Sequence, residues 1–146
     1  MKKIFGVMVT GCLLALMIAV PAQAQLPGSP IRVSIPFDFT VRGRTLPSGE
    51  YEVSRIGDEP ISLLIRNVND KRDHVVFETE PAYAGRTTRK SELVFHRYGD
   101  SYFLSEVVTA GEDTARELTP SRAERQLRRE MASNKSEPDT VALAAN

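Results

Sequence analysis

Cysteine is almost absent from this chain, tryptophan is missing altogether, and neither sign of charge prevails. The single cysteine, Cys12, excludes an intramolecular disulfide and any cysteine-rich metal site. Nineteen Lys and Arg against nineteen Asp and Glu exclude the strongly basic balance of a typical nucleic-acid binder. Without tryptophan, the most common platform for stacking sugars is unavailable. Only two histidines occur, His74 and His96, and no HxH or HExxH spacing accompanies them. The nine glycines are scattered singly, so no Walker A or GxGxxG phosphate cradle can be read, and no GxSxG elbow presents a nucleophilic serine.

Long hydrophobic runs are also lacking, with one exception at the start of the chain. Lys2 and Lys3 precede an uncharged, mainly apolar stretch from Ile4 to Val20, and Pro21-Ala22-Gln23-Ala24 ends in the small-x-small pattern of a signal-peptidase site. Residues 1–24 are therefore expected to be a cleaved export signal, leaving Gln25 as the new N-terminus and the protein in the periplasm or outside the cell. A second reading is that Val9-Thr10-Gly11-Cys12 acts as a lipobox and anchors the protein through Cys12. Apolar residues from Leu13 to Val20 stand where a lipoprotein has its polar tether, which favours cleavage after Ala24. The mature chain would keep 122 of the 146 residues and no cysteine. Loss of two lysines leaves 17 basic against 19 acidic residues, a net charge of −2 with neutral histidines. A chain of that length suits one core, burying about 65% of its unfolded surface, and must hold together without disulfide staples.

What the rest of the chain does have is period-two hydrophobicity. From Ile31 to Val41, Ile31, Val33, Ile35, Phe37, Phe39 and Val41 alternate with polar residues and Pro36, which predicts a half-buried strand, either bent at the proline or on an edge. Arg42 to Gly49 is expected to be a loop ending in the turn Leu46-Pro47-Ser48-Gly49, with Gly49 free to adopt positive φ. Further strands are expected at Glu50–Ile56, Ile61–Asn67 and His74–Glu80, joined by short polar links. Pro81 to Lys90 has no periodicity and reads as a longer connection. Glu92–Tyr98 and Ser101–Thr109 flank Gly99-Asp100, a two-residue II′ hairpin signal. That register sets Phe95 opposite Leu104, His96 opposite Phe103, Arg97 opposite Tyr102 and Leu93 opposite Glu106. The expected architecture is all-β, an antiparallel sandwich or small barrel of six or seven strands over residues 25–118, with a C-terminal helix at 119–132.

The helix signals are Pro120 in the first turn and the capping box Ser121-x-x-Glu124. Ala123, Leu127 and Met131 form a narrow apolar stripe expected to dock on the sheet, while Arg122, Arg125 and Arg129 gather on the opposite arc. Glu124 and Arg128 stand in the favourable order for an i, i+4 ion pair. Residues 133–146 carry Val141 and Leu143 as their only large apolar side chains and are expected to be a disordered tail.

No catalytic, cofactor-binding or metal-ligating set emerges from these residues. His74 reads as a solvated loop histidine and His96 as a half-buried strand histidine. Glu50, Glu52, Asp58, Glu59, Glu78 and Glu80 lie near strand ends and could form carboxylate pairs, as nineteen acidic residues on a small domain will without purpose. The arginine arc at Arg122, Arg125 and Arg129 is the most plausible contact surface, suited to an acidic partner or anionic head groups.

Ile35-Pro36-Phe37-Asp38-Phe39, Leu46-Pro47-Ser48-Gly49-Glu50-Tyr51 and the stretch Leu93 to Leu104 resemble segments of a group of small exported bacterial proteins of unknown function. That resemblance spans most of residues 31–131 and implies an all-β fold and a cell-envelope setting, without catalytic residues to carry over. The leading expectation is an exported envelope protein that is no enzyme, needs no cofactor, and works through contacts with an envelope protein or surface component. The alternatives are a small-barrel carrier of an apolar ligand and, last, a carboxylate-based hydrolase.

Overall fold

The alternation that begins at Ile31 breaks at Pro36, and the break decides the architecture. A computed structural model describes residues 29–58 and 61–146. The expected leader with Cys12 and Gln25, and also Glu59 and Pro60, lie outside the described residues. Strand β1 (Ile31–Ile35) ends before Pro36, and β2 (Phe39–Val41) resumes in a different sheet. Proline removes a ladder donor and stiffens the chain, so a corner costs less here than continuing the strand. Phe37 at the corner stays on the core, stacked on Tyr102 at 3.8 Å and edge-on to Phe95 at 5.3 Å between ring centroids.

Arg42 to Gly49 is not simply a loop. Arg42 and Gly43 both take positive φ, 51° and 86°, as a type I′ turn requires, and the chain returns as β3 (Arg44–Leu46) paired with β2. Leu46 is buried, and Pro47-Ser48 leads into β4 (Gly49–Arg55). Gly49 does not use positive φ; a Cβ there would meet Asn67 Nδ2 at 2.9 Å, so close approach rather than turn geometry requires glycine. The Tyr51 hydroxyl donates to the Pro47 carbonyl at 2.7 Å, closing the corner from the core side.

Strands β5 (Ser62–Asn67) and β6 (His74–Glu78) complete a four-stranded antiparallel sheet in the order β1-β4-β5-β6. Leu63 and Ile65 face the core as expected, but Ile61 precedes the strand and is exposed. At Thr79 the chain leaves this sheet, the Thr79 amide and hydroxyl both donating to the Ile61 carbonyl. It continues as β7 (Glu80–Tyr83), so the expected 81–90 connection begins as a strand. Pro81 is tolerated because β7 is an edge.

The second sheet has seven strands: β7, β10 (Thr114–Glu117), β9 (Ser101–Val108), β8 (Glu92–Tyr98) and β11 (Asp139–Ala144) in lateral order, with β2 paired to β9 and β3 paired to β2. It is mixed, because β2 runs parallel to β9. In the β8–β9 hairpin Gly99 alone of the two turn residues has positive φ, 62°, as a II′ turn demands. Phe95 pairs with Leu104, His96 with Phe103 and Arg97 with Tyr102, as expected. Leu93 pairs with Val107 instead of Glu106, because a bulge leaves Ser105 without an opposite residue and shifts the register.

The two sheets pack face to face as a sandwich. Their inner faces supply one core that includes Val33, Tyr51, Val53 and Ile65 from the first and Phe39, Leu46, Phe95 and Leu104 from the second. Edge-to-face contacts of Phe39 with Tyr51 and Phe95, at 5.0 and 5.5 Å, join them. Among the described residues no closed barrel forms, and a void of about 40 Å³ opens beside Ile31, Val53 and Leu63 at the margin of the inter-sheet space. The interior on which a barrel carrier would depend is occupied by side chains. The strands number eleven among the described residues, more than the six or seven expected, because corners at Pro36 and Thr79 divide long segments and β3, β10 and β11 carry weak alternation.

Helix α1 (Arg122–Ser133) forms where its caps predicted, but residues 133–146 are not a disordered tail. After Asn134 to Pro138 the chain becomes β11, antiparallel to β8 from Asp139 opposite Arg97 to Ala144 opposite Glu92. Val141 and Leu143 pack against the core and Ala145 is buried. Sparse apolar content hid this strand, since an edge strand needs only two inward side chains and a partner's free backbone. No helix among the described residues is long and apolar enough to cross a membrane.

Candidate functional site

Helix α1 covers the outer face of the seven-stranded sheet, and it is held there by polar groups. Ser121 is the N-cap, its Oγ accepting from the Glu124 amide at 3.2 Å. The reciprocal half of the capping box is absent, because the Glu124 side chain turns inward and is only 4% exposed. Its Oε1 lies 3.0 Å from His96 Nδ1 and accepts from the Tyr98 hydroxyl at 3.3 Å. Arg128 Nε donates to the same hydroxyl at 3.3 Å, so Glu124 and Arg128 meet through Tyr98 instead of forming the expected direct pair. On the far side of the imidazole, His96 Nε2 is 3.4 Å from Ser105 Oγ, the bulged residue of β9. In the tautomer with its proton on Nδ1, the carboxylate accepts from Nδ1–H and Nε2 accepts from the serine hydroxyl.

Ser105, His96 and Glu124 thus stand in the order of a nucleophile, its base and an orienting acid. Catalysis needs more: space for a reacting carbonyl at Oγ and donors aimed at the developing oxyanion. Ser105 is 4% exposed, and the cavities of about 630 and 190 Å³ are lined by other side chains. What the arrangement does is satisfy every polar group it buries while fastening a helix to a sheet. The contact face centres on Glu124, with Leu127 and Met131 half-buried; Ala123, expected in the docking stripe, is exposed.

Burial of the phenols at Tyr98 and Tyr51 pushes both above the ordinary tyrosine value of 10.0, since a buried phenolate loses its hydration. In the unfolded chain these groups ionise near 10 while the folded ones remain neutral. The contribution of these two tyrosines to stability is therefore constant below about pH 10 and falls as pH rises through the folded values, by at most about 1.4 kcal/mol per tyrosine per pH unit. Thermal unfolding followed between pH 8 and 11.5 is expected to show this fall, and Tyr98→Phe should lessen its slope. An identical slope in that variant would contradict the assignment.

The arginine arc lies on the opposite side of α1. Arg122, Arg125 and Arg129 are all exposed, as expected, but only two of them share a cavity. A groove of about 630 Å³ runs between the start of α1 and the β2–β3 turn, lined by Arg122 and Arg125 from the helix and by Arg42 and Gly43 from the turn. Arg129 lies one helical turn further on, outside the groove's lining. Arg125 is tied by a guanidinium hydrogen bond to the Pro120 carbonyl, whereas Arg42 and Arg122 make no hydrogen bond or ion pair among the described residues. No Asp or Glu lines the groove. In a chain with balanced charge this is a local separation of sign, and it suits an anion. Arg42 was invisible in the sequence pattern, since the approach of a hairpin tip to a helix 80 residues later depends on how the sheets cross.

The remaining candidates are dispersed. His74 is exposed, with Nδ1 3.0 Å from the Lys71 carbonyl oxygen. Glu52 is held between Arg32 at 3.2 Å and Arg66 at 3.1 Å. Glu50, Glu78 and Glu80 stand on separate strands, and no group of three or more His, Cys, Asp or Glu able to hold a metal occurs among the described residues. In comparisons with known proteins, no family model, curated protein or solved structure matches this chain.

Proposed function

We propose that this protein is an exported cell-envelope module that works by contact, presenting the Arg42–Arg122–Arg125 groove and the neighbouring Arg129 to an anionic partner or surface. The observation that carries the reading is the groove: three guanidinium groups from two separate elements around one cavity with no acidic residue in its lining. The charged leader pattern at residues 1–24 supports the envelope setting. The polar cluster beneath α1 supports the contact role indirectly, because it fixes the helix that carries two of the three arginines.

The test is photo-cross-linking from position 123 in intact cells, followed by separation of the envelope. The full chain is expected in the envelope fraction with a discrete adduct, and reversing charge at Arg122, Arg125 and Arg129 should reduce that adduct at least ten-fold. Retention in the cytoplasm, or an adduct indifferent to the reversal, would overturn the reading.

A further inference from the structure

Resting on that reading of the groove, we infer that the anion it accepts is a phosphomonoester carried on a polar molecule. Arg42 sits at the first central position of a type I′ turn with φ 51°, where asparagine is favoured and a long side chain is strained. A favourable residue was available at that position, yet the position carries a guanidinium that reaches the groove and has no partner of its own. Arg122, on the facing wall, is equally unpartnered. Two free planar forks with Arg125 beside them present more charge and more donors than one carboxylate can satisfy. A carboxylate brings one charge and two oxygens, whereas a phosphomonoester brings about −1.5 to −2 and three strong acceptor oxygens.

The groove's size and lining constrain what carries the phosphate. About 630 Å³ is far more than one phosphate group fills. The remaining lining mixes the polar Thr119, Ser121 and Gln126 with the small or apolar Gly43, Pro120 and Ala123, and has no aromatic residue. Hydroxyl and amide groups suit the hydroxyls of a sugar or glycerol, and no aromatic ring is there to stack a nucleobase. A free sugar phosphate and the head group of a phosphatidate share this chemistry.

The full chain should be titrated by calorimetry with glucose 6-phosphate, inorganic phosphate and glucuronate, and tested for co-sedimentation with vesicles of phosphatidylcholine containing phosphatidate. Glucose 6-phosphate or phosphatidate is expected to bind at least ten-fold more tightly than glucuronate, and the stronger of the two identifies the source as soluble or membrane-borne. Arg42→Asn should weaken binding about ten-fold or more while leaving the thermal midpoint unchanged or raised, because asparagine relieves the strained turn. Arg122→Gln, at an exposed helix position, should weaken it similarly. Equal binding of glucuronate, or unchanged binding in Arg42→Asn, would overturn the inference. If charge reversal abolishes the envelope adduct but no phosphomonoester binds, this inference fails and the contact reading stands; if phosphomonoesters bind while the adduct ignores the arginines, the contact reading fails and this inference stands.

Discussion

A chain ending at Pro138 is expected to lose several kcal/mol of stability, on the order of half of what a domain of this size possesses. The deleted residues are β11, which pairs with β8 along its whole length and sets Val141 and Leu143 against the core. Ala145 is buried with its amide on the Ser91 carbonyl, and the Asn146 amide reaches the Arg32 carbonyl at 2.9 Å, tying the edges of the two sheets together. Removal would strip cover from Leu93 and Phe95 and leave β8 as an open edge with unpaired donors and acceptors. The urea midpoint should fall sharply, and the truncated chain should aggregate at concentrations where the full chain does not. A midpoint within error of the full chain's would show that β11 contributes nothing, as a disordered tail would.

The second large effect is expected at Glu124. Replacement by alanine removes the acceptor shared by His96 and Tyr98, and leaves the buried Tyr98 hydroxyl and the half-buried His96 ring without it beside Arg128. Breaking a buried polar set of this kind costs about 3–4 kcal/mol, a fall of roughly 10 °C in midpoint. Glu124→Gln keeps an acceptor oxygen and should cost less than half as much. His96→Ala combined with Glu124→Ala should be less damaging than the sum of the two, by about 1 kcal/mol or more, because each single change already orphans the other partner. Strict additivity would mean that the two side chains do not act together. Since α1 presents Arg122 and Arg125, the same variant should also impair the groove, which makes Glu124 a positioning residue for the proposed contact.

The legible and illegible parts of this molecule divide along a physical line. Tyr51 and Val53, Leu63 and Ile65, and Phe95 opposite Leu104 follow from alternation and turn chemistry, and all are where that reasoning put them. The II′ turn at Gly99 and the Ser121 cap are equally local. Ser105 marks where the reasoning stops. One extra residue in a bulge shifts Leu93 from Glu106 to Val107 and puts a hydroxyl beside His96, and neither consequence leaves a trace in hydrophobic periodicity. Glu124 was readable as a helix cap, but the His96 ring and the Tyr98 hydroxyl across the interface outbid the Ser121 amide for its carboxylate. Of the three arginines chosen from the helical wheel, Arg122 and Arg125 reach the groove and Arg129 does not, while Arg42 joins from a turn that looked like an ordinary loop.

By itself, then, the amino-acid sequence determined a mostly β chain with a helix near its end, a core without disulfide help and an exposed arginine face, because alternation, caps and composition act over a few residues. Only the tertiary structure decided that Pro36 and Thr79 divide strands between two sheets, that the last residues close an edge, that His96 and Glu124 fasten α1, and that Arg42 faces Arg122. Each of these joins positions far apart in the chain, and such pairings are chosen by the packing of whole sheets and the need to satisfy buried polar groups, which no local pattern encodes.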